Sequence, residues 1–153
     1  MMMMNKMTDD PIAAAPSDRI TLAADIKNIP EITGFAEKYM KRISCPQHII
    51  NDFCIAADEI AANICMYAYS GGKAGNITVK CIYCRRKNRV SLIFADSGIP
   101  FDPLTVPAAS VTADLSERSI GGLGIHIVRG IMNDVSYKHI RSMNILKISK
   151  TMR

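Results

Sequence analysis

The chain has no tryptophan, and phenylalanine and tyrosine together make up only 6% of its 153 residues. Those aromatics are not interleaved with its basic residues, which argues against a stacking platform for single-stranded nucleic acid. No stretch approaches the roughly 18 apolar residues that a membrane-spanning helix needs. The opening MMMMNKMTDD has no positively charged start followed by an apolar run, so it does not read as a secretory signal. There is no GxxxxGK[ST] and no GxGxxG, which excludes a P-loop and a Rossmann-type dinucleotide site. His48, His126 and His139 are scattered, and none pairs with a serine or cysteine in a nucleophile motif. They read as structural or exposed.

What is present is ordinary globular composition, 48% hydrophobic and 22% charged, in a chain long enough to bury a real core. The net charge is +5. The densest basic cluster, Arg85, Arg86, Lys87 and Arg89, lies between two strand-like runs. It reads as a solvated hairpin tip rather than a nucleic-acid patch. Of the five cysteines, Cys54 and Cys65 fall within a helical pattern. Cys81 and Cys84 form a CxxC on a strand, where residues three apart point to opposite faces. No second CxxC or histidine pair completes a zinc site. An odd cysteine count fits a reducing, cytoplasmic compartment.

Residues 1–16, ending in the Ala/Pro-rich PIAAAP, read as a disordered lead. Arg19 to Ile26 reads as a first strand. A helix starts near Pro30, which suits a first turn, and runs to about Ile43. Ser44 and Pro46 mark the start of a second helix, Gln47 to Tyr69, ended by Gly71 and Gly72. Asn76 to Arg86 and Arg89 to Ala95 are strand-like and close enough to form a hairpin. Ser97 to Ile120 is irregular, and a loop of that length in a small fold is usually functional. Gly124 to Met132 is helical again, and Val135 to Ile140 and Met143 to Lys150 close the chain as strands. The order β-α-α-β-β-loop-α-β-β predicts an α+β fold, a two-layer α/β sandwich with a mainly antiparallel sheet.

Three segments carry candidate chemistry. Glu59 and Asn63, four residues apart, project from one helix face among the small residues Ala56, Ala57, Ala61 and Ala62. Alone they would read as solvent-facing polar residues. Yet an amide oxygen can supply one ligand to Mg²⁺, and a nearby carboxylate can accept a hydroxyl proton. Asp96 at a strand end is an acceptor-only group, suited to an exocyclic amine such as that of adenine. Gly98 would let a ring approach the backbone. Alone, D-S-G is also a plain polar turn. Gly121, Gly122 and Gly124 precede a helix, where backbone N–H groups favour an anion, although a flexible turn would look the same.

Taken in order, ExxxN on a helix, DSGIPFD after a strand and GGLG before a helix resemble the three nucleotide-binding boxes of the GHKL ATPases. The short form is most similar to the bacterial anti-sigma-factor serine/threonine kinases. The resemblance covers about residues 19 to 150 and implies a Bergerat-type sandwich with helices on one face of the sheet. Residues 17–153 are then expected to form a single ATP-binding, kinase-like domain. It further implies that Asn63 binds Mg²⁺ on the ATP phosphates and that Glu59 is the catalytic base. Asp96 would hold the adenine amino group, with Gly98, Pro100 and Phe101 in the same box. Pro103 to Ile120 would be an ATP lid contributing Arg118, and Gly121, Gly122, Leu123 and Gly124 would meet the phosphates. The implied partners are a sigma factor and a STAS-type anti-anti-sigma protein bearing the acceptor serine, with a homodimer as the expected assembly; no membrane or nucleic-acid role is expected. Two departures stand out. Tyr67 replaces the histidine common four residues after the Asn, and Pro100 replaces a frequent glycine. The alternative reading is a nucleotide-gated binding module without kinase turnover.

Overall fold

A computed structural model describes residues 17–69, 74–105 and 122–152. The expected lead, most of the expected lid with Arg118, and the phosphate-box residue Gly121 lie outside the described residues. Five strands form one sheet: β1 (Ser17–Ala23), β2 (Asn76–Cys84), β3 (Arg89–Asp96), β4 (Asp134–Ile140) and β5 (Met143–Thr151). Their order is β1-β2-β3-β5-β4, and every pair is antiparallel. Three α-helices accompany them, α1 (Ile29–Arg42), α2 (Gln47–Asn63) and α3 (Gly122–Ile131). This is the expected α+β sandwich.

Strand alternation builds the core. Ile77, Val79 and Cys81 on β2, Val90, Leu92 and Phe94 on β3, and Leu146 and Ile148 on β5 are all buried. They face the helices, as a period of two requires. Continuing the β3 row by two residues reaches Asp96, and continuing the β5 row backwards reaches Asn144. These two lie opposite each other in the register and are buried, at 5% and 6% exposure. One end of an otherwise apolar layer is therefore polar, and the candidate site forms there.

The central helix is α2, which buries Ile49, Ile50, Phe53, Ala56, Ala57, Ile60 and Ala61. Helix α1 packs beside it through Ile32, Ala36, Tyr39 and Met40, a helical stripe. It ends at Ser44, whose φ of 59° is left-handed, with Cys45 N–H bonded to Met40 O. Lys150 ties three elements together. Its Nζ lies 3.1 Å from Asp52 Oδ2 on α2 and donates to Ile131 O at the end of α3.

Most boundaries fall within two residues of the sequence reading, and two differ by more. Strand β1 runs from Ser17 to Ala23, not to Ile26, because Asp25 caps a 3₁₀ turn over Ile26–Asn28 through Lys27 N–H. The second helix is not uniform to Tyr69. It is α-helical to Asn63 and then widens into a π-helical turn, Ile64–Ala68. The basic cluster does sit at the β2–β3 hairpin connection, where Arg85, Arg86 and Lys87 are exposed. Cys81 faces the core, and burial pushes its thiol up to about 12.

Candidate functional site

The site lies where the π-helical turn meets the segment after β3. Such turns recur at functional sites. Here the turn presents Ala68 O to Ile99 N–H at 2.8 Å. Tyr69 adds a second connection: its hydroxyl accepts from Ser97 N–H at 2.9 Å and donates to Asn76 O at 2.7 Å. The Tyr69 ring lies so close to Gly75 that a methyl there would fall 2.0 Å from ring carbon Cε1. Helix α2 and the Asp96–Ile99 turn are thus fastened together.

Gly98 belongs to this junction. A methyl at position 98 would fall 2.2 Å from Ala68 O and 2.7 Å from Ala68 Cβ, both fixed groups. The glycine therefore has a packing reason on this side of the turn, whatever approaches from the other. Asp96 orders the same turn: its Oδ1 accepts from Gly98 N–H at 2.9 Å and from Asn144 Nδ2 at 2.9 Å.

Between these elements is a mainly apolar cavity of about 230 Å³. Ile60, Asn63 and Ile64 line it from α2, Tyr67 and Ala68 from the π turn, and Ile125 from α3. Ile99, Phe101 and Pro103 form another side, and Asp96, Asn144, Tyr137 and Leu146 the sheet side. Whole-ligand pockets run to roughly 300–1,000 Å³, so this space suits a ring system rather than an entire nucleotide. It is a mainly apolar slot with the Asp96 carboxylate in its wall.

Of the residues singled out from sequence, Asn63, Asp96 and Phe101 line the cavity. Gly98 and Pro100 lie in the segment between the last two. Gly122, Leu123 and Gly124 form the first turn of α3. Gly124 packs on Glu59, for a methyl at 124 would lie 2.5 Å from Glu59 Oε2. The half-buried Glu59 carboxylate thus rests against the N-terminal turn of α3, where the helix dipole favours negative charge. Sequence reasoning missed Asn144 and Tyr137. Nothing in an isolated Asn on a strand points to an aspartate 48 residues earlier. Burial raises the Tyr137 phenol above its ordinary value, so at neutral pH it stays a donor.

No group of three or more His, Cys, Asp or Glu able to hold a metal occurs among the described residues. Mg²⁺ does not need one, since it keeps waters and takes one or two protein ligands plus phosphate oxygens. The amide of Asn63 at the cavity wall is a donor of that kind.

A two-layer α+β sandwich with a base-sized slot between its central helix and the end of β3 has the layout of a Bergerat-type ATP-binding domain. Residues 22–150 match the histidine kinase-like ATPase domain model, and the chain belongs to that family. It is 26% identical over 141 residues to serine-protein kinase RsbW of Listeria monocytogenes, covering 87% of each chain. It is 30% identical over 95 residues to serine/threonine-protein kinase BtrW of Bordetella bronchiseptica, covering 62% of this chain and 66% of BtrW. The structure of the RsbU and RsbW domains of Rv1364c from Mycobacterium tuberculosis superposes with a TM-score of 0.65 at 15% identity. That match covers 90% of this chain and 32% of the other. No helix among the described residues is long and apolar enough to cross a membrane.

Proposed function

We propose that the chain is an ATP-dependent protein serine/threonine kinase that acts as an anti-sigma factor or partner-switching regulator. Its substrate would be a serine on a STAS-type antagonist, and it would work as a cytoplasmic homodimer. The observation that carries this reading is Glu59 one turn before Asn63 on α2, with Asn63 and Asp96 both lining a base-sized slot. The relatives named as serine-protein kinases support it.

In this reading adenine enters the slot, and Asp96 accepts a hydrogen bond from its exocyclic amine. The phosphates extend toward Asn63 and the first turn of α3. Asn63 would hold Mg²⁺, which supplies positive charge to the phosphate oxygens. Glu59 accepts the proton of the substrate serine hydroxyl. The serine oxygen bonds to the γ-phosphorus as the bridge to the β-phosphate breaks, and ADP leaves. Phosphorylated antagonist would then release the regulatory partner.

The test is transfer of labelled phosphate to a purified STAS-domain protein. Glu59→Gln should lower transfer by about 10²–10⁴-fold with ATP binding kept. Unchanged transfer would remove Glu59 from its role.

Tyr67 favours a second reading, because it stands where the family commonly has histidine and its ring lines the slot. A nucleotide-gated binding module would bind ATP and capture its partner, yet yield no phosphorylated product.

A further inference from the structure

We infer that Asn144, oriented by Tyr137, is a positioning residue that locks the Asp96 carboxylate and so makes the slot select a base bearing an exocyclic amine. The inference rests on the nucleotide site proposed above and deepens it.

Asn144 is directly opposite Asp96 in the β3–β5 register, and both are buried. Its Nδ2 donates to Asp96 Oδ1 at 2.9 Å and to Ile99 O at 3.0 Å, with Gly98 O at 3.4 Å. All three of these groups are acceptors, so the amide nitrogen must face the turn. Tyr137 fixes the same orientation from behind by donating its hydroxyl to Asn144 Oδ1. His139 Nδ1 lies 3.3 Å from that oxygen as well.

Two donors therefore converge on one oxygen of Asp96: Gly98 N–H and Asn144 Nδ2. That pins the carboxylate plane and leaves Oδ2 as the acceptor for a ligand. A carboxylate held this way bonds an amino group on the ring and repels a keto oxygen in the same place. Sites built around one hydrogen bond reject analogues lacking it far more strongly than shape alone can. Without Asn144, Gly98 N–H is the remaining partner of Oδ1, and two carbonyls of the turn lose their shared donor.

The experiment is competition of ATP and inosine triphosphate against a fluorescent ATP analogue, using wild type, Asn144→Ala and Tyr137→Phe. Inosine carries a keto oxygen where adenine carries its amine. Asn144→Ala should weaken ATP about tenfold to a hundredfold while changing inosine triphosphate less than twofold. Tyr137→Phe, which deletes one oxygen and keeps Asn144, should shrink the ATP preference in the same direction by a smaller factor. It carries the test if Asn144→Ala does not fold. A proportional loss for both nucleotides would make Asn144 a merely structural residue and overturn the inference. So would an undiminished ATP preference in both variants. Wild type that binds neither nucleotide would overturn the nucleotide site itself, and the inference with it.

Discussion

Gly98→Ala is the sharpest probe of how the site is assembled. The added methyl would lie 2.2 Å from Ala68 O, 2.6 Å from Ala68 C and 2.7 Å from Ala68 Cβ. Two of these are backbone atoms, so no side chain can swing aside. The segment after β3 must lift off the π-helical turn, which also stretches the 2.8 Å bond from Ile99 N–H to Ala68 O. Overpacking of this kind costs roughly 1–3 kcal/mol, and a lost hydrogen bond adds about 1. We expect about 2–4 kcal/mol of lost stability, or roughly 5–15 °C in melting temperature. Urea denaturation gives the free energy directly. Gly34→Ala is the matched control: nothing lies within 4 Å of a methyl there, and the site is an exposed position within α1. It should stabilise by about 0.5–1 kcal/mol through helix propensity. A loss below about 0.5 kcal/mol for Gly98→Ala would refute the packing account of this glycine.

Other perturbations separate positioning from stability. Gly124→Ala sets a methyl 2.5 Å from Glu59 Oε2, the far end of a flexible side chain. It should cost under about 1 kcal/mol of stability, while displacing the carboxylate should cut phosphate transfer about 100-fold. Equal effects on melting and turnover would contradict that. Lys150→Ala breaks a partly buried pair with Asp52 and removes the donor to Ile131 O, for about 1–3 kcal/mol in urea denaturation. Lys150→Met should recover part of that loss, and no recovery would argue against a packing contribution from the lysine stem. Burial, with smaller help from the Asp18 charge, holds the Cys81 thiol at about 12, against an ordinary value of 9.0. Cys45 is raised to about 11, also by burial. Above pH 9 the unfolded chain releases these protons while the folded one keeps them, so the unfolded state binds fewer and stability falls as pH rises from about 9 to 12. Denaturation at pH 8 and pH 10.5 checks this, and equal midpoints would contradict it.

Local patterns made much of the fold readable. The isoleucine-rich stripe of α2, the hairpin flanking Arg85 to Lys87 and the opposed faces of Cys81 and Cys84 each follow from a short-range period. Asp96 was legible for the same reason, as a carboxylate ending an alternating run. The π turn at Ile64–Ala68 was not. Its hydrogen-bond register goes with the docking of residues 98 and 99 on Ala68, a contact about 30 residues away in sequence. The end of β1 was missed, because the strand pattern was carried through Asp25, which caps the turn that stops it. Asn144 and Tyr137 could not be singled out, because their meaning lies in a strand pairing that no local signal encodes. Likewise, the glycines at 98 and 124 stood out as motif positions, but what they pack against was visible only in three dimensions.

The measurement closest to the central claim is calorimetric titration of ATP with and without Mg²⁺, for wild type and Asn63→Ala. The account predicts magnesium-dependent binding by wild type, and loss of the magnesium dependence in Asn63→Ala with the folded state intact. Absence of heat for wild type at millimolar nucleotide would contradict it and leave a partner-binding scaffold in its place.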